Sequence, residues 1–170
     1  MPALNTAVTN RKTIKKRGPY LTKYFREGGS QTFKVNDLVG VNTTNGHLLI
    51  AATGGNSYAS DSTNPVVGFA VQAGSNTTAN TVNCAVDCFI EGSEFAIPVT
   101  NANANAVTAY SQVNGTLYTL YNDNSYSWLL AVNTSTNGVA EGIEIDPGEP
   151  IGTQNGYIWC RIPASKRYLS

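Results

Sequence analysis

His47 is the single histidine of this 170-residue chain, so a histidine-rich metal site is excluded by count. It follows Asn45-Gly46 in "NTTNGH", where a hairpin tip would expose it to solvent. The thiols are Cys84, Cys88 and Cys160. In "TVNCAVDCFIEG", Val82, Cys84, Val86, Cys88 and Ile90 take every second position and share one face of a strand. A strand rise of ~3.3 Å per residue separates Cys84 from Cys88 by ~13 Å. That is too far for a disulfide, whose Cα atoms lie within ~7 Å, or for one zinc with sulfurs at ~2.3 Å. Cys160 alternates with Ile158 and Ile162 in the same way. All three are expected as core thiols, since free cysteine behaves as a small buried hydrophobe.

Carboxylates gather in "EGIEIDPGEP" as Glu141, Glu144, Asp146 and Glu149. Paired carboxylates can hydrolyse glycosides, and oxygen clusters can hold calcium. The spacing matches no EF-hand loop, and acids flanking Pro147-Gly148 are expected as a solvated turn tip. A Ser-Lys or Asp-based mechanism survives counting. Yet no Lys or Arg occurs from Asn36 to Cys160, which leaves a nucleophile there few groups to activate it. The Gly-Gly pairs at Gly28 and Gly54 lack the Lys-Ser/Thr of a phosphate loop. The expectation is a protein that is not an enzyme, with no catalytic residue, cofactor or metal.

The elements that must position these residues are short. Strands are expected near Thr32–Val35, Leu38–Val41, Leu48–Ala52, Val66–Gln72, Thr81–Ile90, Glu94–Val99, Thr116–Tyr121, Tyr126–Val132, Val139–Ile145 and Tyr157–Ile162. Asn45-Gly46, Asn155-Gly156 and Pro147-Gly148 punctuate them as turns. Longer polar loops fall at "TGGNSYASDSTNP", "AGSNTTAN" and "TNANANAV". No 3.6-residue apolar period is sustained, and only 13% of residues are charged, with Asn, Thr, Ser and Gly supplying the polarity. The fold class is therefore all-β: a single β-barrel or β-sandwich body over residues 30–170, preceded by an extended basic N-terminal arm over residues 1–29. No apolar run reaches the ~20 residues of a membrane helix, and no signal-peptide stretch is present, so synthesis in the cytoplasm without a membrane partner is expected.

The arm carries the clearest pattern. Residues 1–26 hold Arg11, Lys12, Lys15, Lys16, Arg17, Lys23 and Arg26 and no acid. Residues 27–170 hold four basic residues against eleven acids, so the net charge of zero hides +7 facing −7. An arm with Tyr20, Leu21, Tyr24 and Phe25 among its cations suits attachment to an acidic surface, and its extended backbone could add to a strand edge. It is expected to contribute no strand to the body and to order on a partner, so that removing residues 1–26 spares the fold. Two aromatic stretches, "SYSWLLAV" and "GYIWCRI", place Tyr126 and Trp128 on one strand face and Tyr157, Trp159 and Arg161 on another. Such surfaces serve oligomer contacts, or stack sugars and bases.

The succession "TFKVNDLVGVN", "NGHLLIAAT", "NPVVGFAVQ", "VNCAVDCFIEGSEF", "GTLYTLY" and "GEPIGTQNGYIWCRI" resembles the auxiliary capsid proteins of tailed bacteriophages, called cement, decoration or head-stabilising proteins. The likeness covers most of residues 30–163. It rests on a β pattern, a Val-Gly-Phe-Ala strand and a Gly-x-x-Phe turn, and it transfers no single functional residue. It implies a structural virion protein on the outer capsid surface, frequently a homotrimer, whose partner is the major capsid protein and whose arms reach across capsomers. No small-molecule substrate is implied. Two alternatives belong to other classes: nucleic-acid binding through the basic arm, and carbohydrate binding by a fibre or tail protein. Against the first, the body offers no basic groove continuing from the arm.

Overall fold

Strand formers bounded by Asn, Gly and Pro settle into two sheets in the computed structural model, which describes residues 14–50, 57–58, 65–78, 81–100, 113, 115–122, 128–131, 138–149, 151 and 156–169, with backbone alone at 57, 58, 100, 128, 129 and 131. The strands are β1 (Lys15–Arg17), β2 (Tyr20–Arg26), β3 (Leu38–Val41), β4 (Leu48–Ile50), β5 (Ser57–Tyr58) and β6 (Val66–Ala70). They continue as β7 (Asn83–Phe89), β8 (Glu94–Thr100), β9 (Leu117–Asn122), β10 (Trp128–Ala131), β11 (Ala140–Ile145) and β12 (Tyr157–Arg161). A 3-10 turn at Ala164–Lys166 follows.

The first sheet runs β1-β8-β10-β9-β11-β12, with β5 on β9 and β12 bonded back to β8, so it curls strongly. The second runs β2-β7-β6-β3-β4. Pairing is antiparallel apart from β8 with β10. The chain is thus all-β and sandwich-like. Between the sheets, Leu38, Val66, Phe69 and Phe89 of the second meet Phe95, Ile97, Leu120, Leu130 and Ile158 of the first. Phe69, Phe89 and Phe95 pack with ring centroids 5.0–5.3 Å apart, within the range aromatic pairs favour. The second sheet buries its other face as well: Val39, Val41, Val67, Cys84, Val86 and Cys88 lie under Phe33 and Leu169. Both faces being covered explains why β6 reads "VVGFA" without polar alternation.

The arm is where expectation and structure part. Lys15–Arg17 pair with Ala96–Glu94, and all seven residues of β2 pair with β7, from Tyr20↔Phe89 to Arg26↔Asn83. Residues 15–26 are therefore structural strands, and a boundary at residue 29 does not separate arm from body. The two chains β1–β2 and β7–β8 pass together from one sheet to the other. Gly18, at φ +78°, makes the crossing: a Cβ there would stand 2.1 Å from the Gly92 carbonyl oxygen. Ser93 Oγ locks the corner by donating to the Pro19 carbonyl at 2.6 Å and accepting from the Ile90 N–H at 2.8 Å.

Thr32–Val35 is not a strand, although Phe33 is buried. Ser30 and Asn36 take positive φ, and Asp37 accepts the Lys34 N–H through its carboxylate at 2.7 Å, which turns the chain. The segment instead bonds to a neighbouring loop, through Gly74 N–H to Phe33 and Asn76 N–H to Gln31. Buried Glu27 holds that loop by accepting the Ser75 N–H on both oxygens at 2.9 and 3.0 Å. The Asn45-Gly46 signal does mark the β3–β4 hairpin, with Gly46 at φ +70°. Asn155 lies outside the described residues.

Candidate attachment surface

Short β1 alternates its side chains, and the alternation decides what its charges do. Lys15 and Arg17 point to the outer face of the first sheet, where β12 presents Tyr157, Trp159 and Arg161 between core residues Ile158 and Cys160. Lys15 Nζ donates to Asp146 Oδ2 at 2.6 Å and lies 4.5 Å from the Tyr157 ring centre. Arg17 sits 4.1 Å over the Trp159 ring, pairs with Glu94 directly across the ladder and reaches Glu144 at 2.8 Å. Arg161 grips Glu141 with two bonds, at 2.6 and 3.1 Å. Arg17, Glu94, Arg161 and Glu141 thus alternate in sign across β1, β8, β12 and β11. Opposite charges facing each other across strands stabilise pairing by a few tenths of a kcal/mol to ~1 kcal/mol each. Lys16 points inward instead, to Asp87 Oδ2 at 3.3 Å and over Phe69 at 4.9 Å.

The acids of "EGIEIDPGEP" are consequently not a solvated tip. Asp146 is buried, and the Lys15 hydrogen bond holds its carboxyl below the usual carboxylate range, outweighing desolvation. Its Oδ1 also accepts the Gly148 N–H at 3.0 Å, and Glu149 accepts the Tyr157 N–H at 3.0 Å. Tyr157, Trp159 and Arg161 do share a face, but Tyr157 is only 4% exposed and cations of the same chain lie over both rings. Burial pushes the Tyr157 hydroxyl up to about 12. This face is occupied from within. Tyr126 lies outside the described residues, and for Trp128 only the backbone in β10 is described.

The apolar residues of the arm divide in the same manner. Tyr20 is an anchor of the core, 6.1 Å from Phe89, with its hydroxyl donating to the Glu94 carbonyl at 2.5 Å. Phe25 packs on the second core and meets Tyr168 edge-on at 6.1 Å. Leu21 and Tyr24 are 44% and 72% exposed, and Lys23 and Arg26 are exposed beside them. Arg11 and Lys12 lie outside the described residues.

These four outward residues stand on a strand at the end of its sheet. Glu27 N–H bonds Val82, and Val71 N–H bonds Ala85 from the opposite side. The alternation of an antiparallel ladder then turns the backbone groups of Thr22 and Tyr24 toward the open edge, while those of Arg26 turn toward Leu48 of β4. At its far end this edge is met by β4, where Leu48 bridges to Glu27 and its carbonyl accepts the Gly28 N–H at 2.7 Å; from Tyr20 to Tyr24 no strand among the described residues pairs with it. It is a template for one further strand.

The cysteines lie where alternation puts them. Cys84 and Cys88 sit in the second core, Cys160 in the first, all buried and free. Burial raises their thiol pKa values, that of Cys88 to about 11, which keeps them protonated at neutral pH. Sequence reasoning missed Asp87, Glu94 and Glu144 as partners of the arm. The signal was present in the equal and opposite charge of the two segments, which pointed as much to the chain's own acids as to another surface. Among the described residues no helix is long and apolar enough to cross a membrane. No protein-family model matches this chain, no curated protein matches it, and no solved structure matches its fold.

Proposed function

We propose that the protein is a structural virion protein that binds the outside of a bacteriophage capsid and cements neighbouring major capsid subunits, as a homotrimer. The supporting observation is the edge of β2, open from Tyr20 to Tyr24, which combines outward backbone groups with exposed Leu21, Lys23, Tyr24 and Arg26. An extended acidic segment of a shell subunit would add as the next strand. Its backbone would supply the ladder bonds, Leu21 and Tyr24 the apolar contact, and Lys23 and Arg26 the charge. The resemblance of the sequence to auxiliary capsid proteins supplies the identity of the shell. Against the nucleic-acid alternative, Lys15, Lys16 and Arg17 are already paired with Asp146, Asp87, Glu94 and Glu144.

The test is occupancy on shells stripped of this protein, across a salt series. Lys23→Gln with Arg26→Gln should slow attachment about threefold to tenfold at low salt and make little difference at high salt. Leu21→Ser with Tyr24→Ser should lower occupancy at every salt concentration. Undiminished binding by a variant carrying all four changes would remove β2 as the attachment device. Tighter binding of wild type to nonspecific DNA than to shells, at one salt concentration, would favour the nucleic-acid reading.

A further inference from the structure

The open stretch of β2 has a set length. At one end Gly18, at φ +78°, and Pro19 turn the chain toward the other sheet, and Ser93 Oγ donates to the Pro19 carbonyl at 2.6 Å. At the other end Leu48 bridges to Glu27 and accepts the Gly28 N–H at 2.7 Å. Among the described residues, 20–24 are left between these stops, and the ladder alternation turns the backbone groups of Tyr20, Thr22 and Tyr24 outward. An added strand can therefore pair over five residues, three of them through both backbone groups.

The two faces of that stretch differ in charge. Leu21 and Lys23 stand opposite Cys88 and Val86, on the face of the second core, and both are exposed. Tyr20, Thr22 and Tyr24 stand opposite Phe89, Asp87 and Ala85, on the other face. There Asp87 accepts the Thr22 hydroxyl at 3.0 Å and pairs with Lys16 at 3.3 Å. Arg26 shares this face but lies four residues, ~13 Å, beyond Thr22. An acid on an added strand thus meets exposed Lys23 on the first face and the carboxylate of Asp87 on the second. Because strand side chains alternate, moving that acid by one residue carries it from one face to the other. A second copy of the chain fits poorly: a twofold axis through Thr22 would set each Lys23 opposite a Leu21 and leave both cations without an acid. We propose that β2 binds an antiparallel five-residue segment with an acid opposite Lys23, apolar residues opposite Leu21 and Tyr24, and a neutral residue opposite Thr22. This rests on β2 being an attachment edge, and it adds the order of side chains that the partner must carry. Antiparallel pairing gives the more stable ladder per residue. In chain order the partner reads apolar, acid, neutral, apolar, any, as in Val-Glu-Thr-Ile-Thr.

Titration of the isotope-labelled full chain with capped pentapeptides reads the site through the backbone amides of Thr22 and Tyr24. Val-Glu-Thr-Ile-Thr should shift both saturably. Val-Thr-Glu-Ile-Thr has the same composition and should bind about twofold to fivefold more weakly, the loss of one cross-strand charge pair. Lys23→Glu changes an exposed side chain and should invert the preference, so that Val-Lys-Thr-Ile-Thr binds more tightly than Val-Glu-Thr-Ile-Thr. Absence of a saturable shift, equal binding of the first two peptides, or no inversion in the variant overturns the proposal. So does tighter binding of the reversed Thr-Ile-Thr-Glu-Val, which would pair in parallel. Shifts of Thr22 and Tyr24 that grow with protein concentration alone also overturn it, for then a second copy covers the edge. No shell is needed, so this proposal and the capsid reading fail separately. Peptides that obey the order while all four β2 changes leave shell occupancy untouched would remove the shell and keep the order. Occupancy that depends on β2 while the peptides bind alike would do the reverse.

Discussion

At the scale of single residues, burial decides what the three cysteines and Asp146 can do. Cys88 lies under Phe33 and Leu169 in the second core with its thiol pushed up to about 11, and Cys160 is fully enclosed in the first. Thiolate is the reactive form, so all three cysteines should resist a soluble disulfide reagent in the native protein and react together at the rate of unfolding. Rapid labelling of one thiol in native buffer would contradict its burial. Asp146 gives a pH signature of defined sign. Its carboxyl is depressed in the folded state, chiefly by Lys15, so its contribution is present above the ordinary carboxylate range near ~3.9 and is lost as pH falls through the folded value. Asp146→Asn keeps an oxygen for the Gly148 N–H but loses the charge. It should cost about 1 kcal/mol at neutral pH and less as the medium is acidified, as measured by denaturant unfolding at several pH values. An equal cost at neutral and strongly acid pH would deny the Lys15 pair a role in stability.

At the scale of elements, the critical piece is the β1–β2 strap. Truncation to Ile14 leaves every described strand in place, and its thermal midpoint should match that of the full chain. Truncation through Arg26 removes β2, one of the two ladder partners of β7, together with Tyr20 and Phe25. Loss of a packed aromatic side chain costs roughly 3–5 kcal/mol, against a total stability of ~5–15 kcal/mol. The longer truncation should therefore unfold or aggregate, as circular dichroism and light scattering would report; a stable, monomeric product would restore the picture of a detachable arm. Most of the fold was legible because nine expected strands carry their own apolar alternation or apolar runs, from Leu38–Val41 to Tyr157–Arg161. β1 and β2 were not, because "KKR" and "YLTKYFR" read as solvated by composition. The cations of β1 lie on acids and rings brought close only by the tertiary fold, and Lys and Arg stems cover apolar surface well. The candidate site was half legible for the same reason. Leu21, Lys23, Tyr24 and Arg26 remain outward, whereas Tyr20, Phe25, Lys15, Lys16 and Arg17 are held by the chain itself.

At the scale of the whole molecule, the +7 segment and the −7 remainder answer each other, at least through Lys15, Lys16 and Arg17. Three of the seven cations that looked available for a distant partner are spent on closing the fold, and this has a measurable consequence. The pairs are partly exposed, so mobile ions screen them; the Debye length shrinks from ~30 Å at 0.01 M to ~3 Å at 1 M salt. Each such pair contributes ~0–1 kcal/mol, so together the pairs of the strap supply about 2 kcal/mol at low salt. For a domain of this size that corresponds to a fall of about 4–8 °C in thermal midpoint as sodium chloride is raised from ~0.01 M to ~0.5 M. Lys15→Gln with Arg17→Gln should lower the midpoint at low salt and flatten its dependence on salt, since the removed pairs are the ones being screened. Lys23→Gln with Arg26→Gln should leave both the midpoint and its slope unchanged, because those side chains project from the open edge of β2. The contrast between the two double variants separates charge that closes the fold from charge left for a partner. If both lower the midpoint alike, or neither alters its salt dependence, the strap's cations do not hold the fold closed.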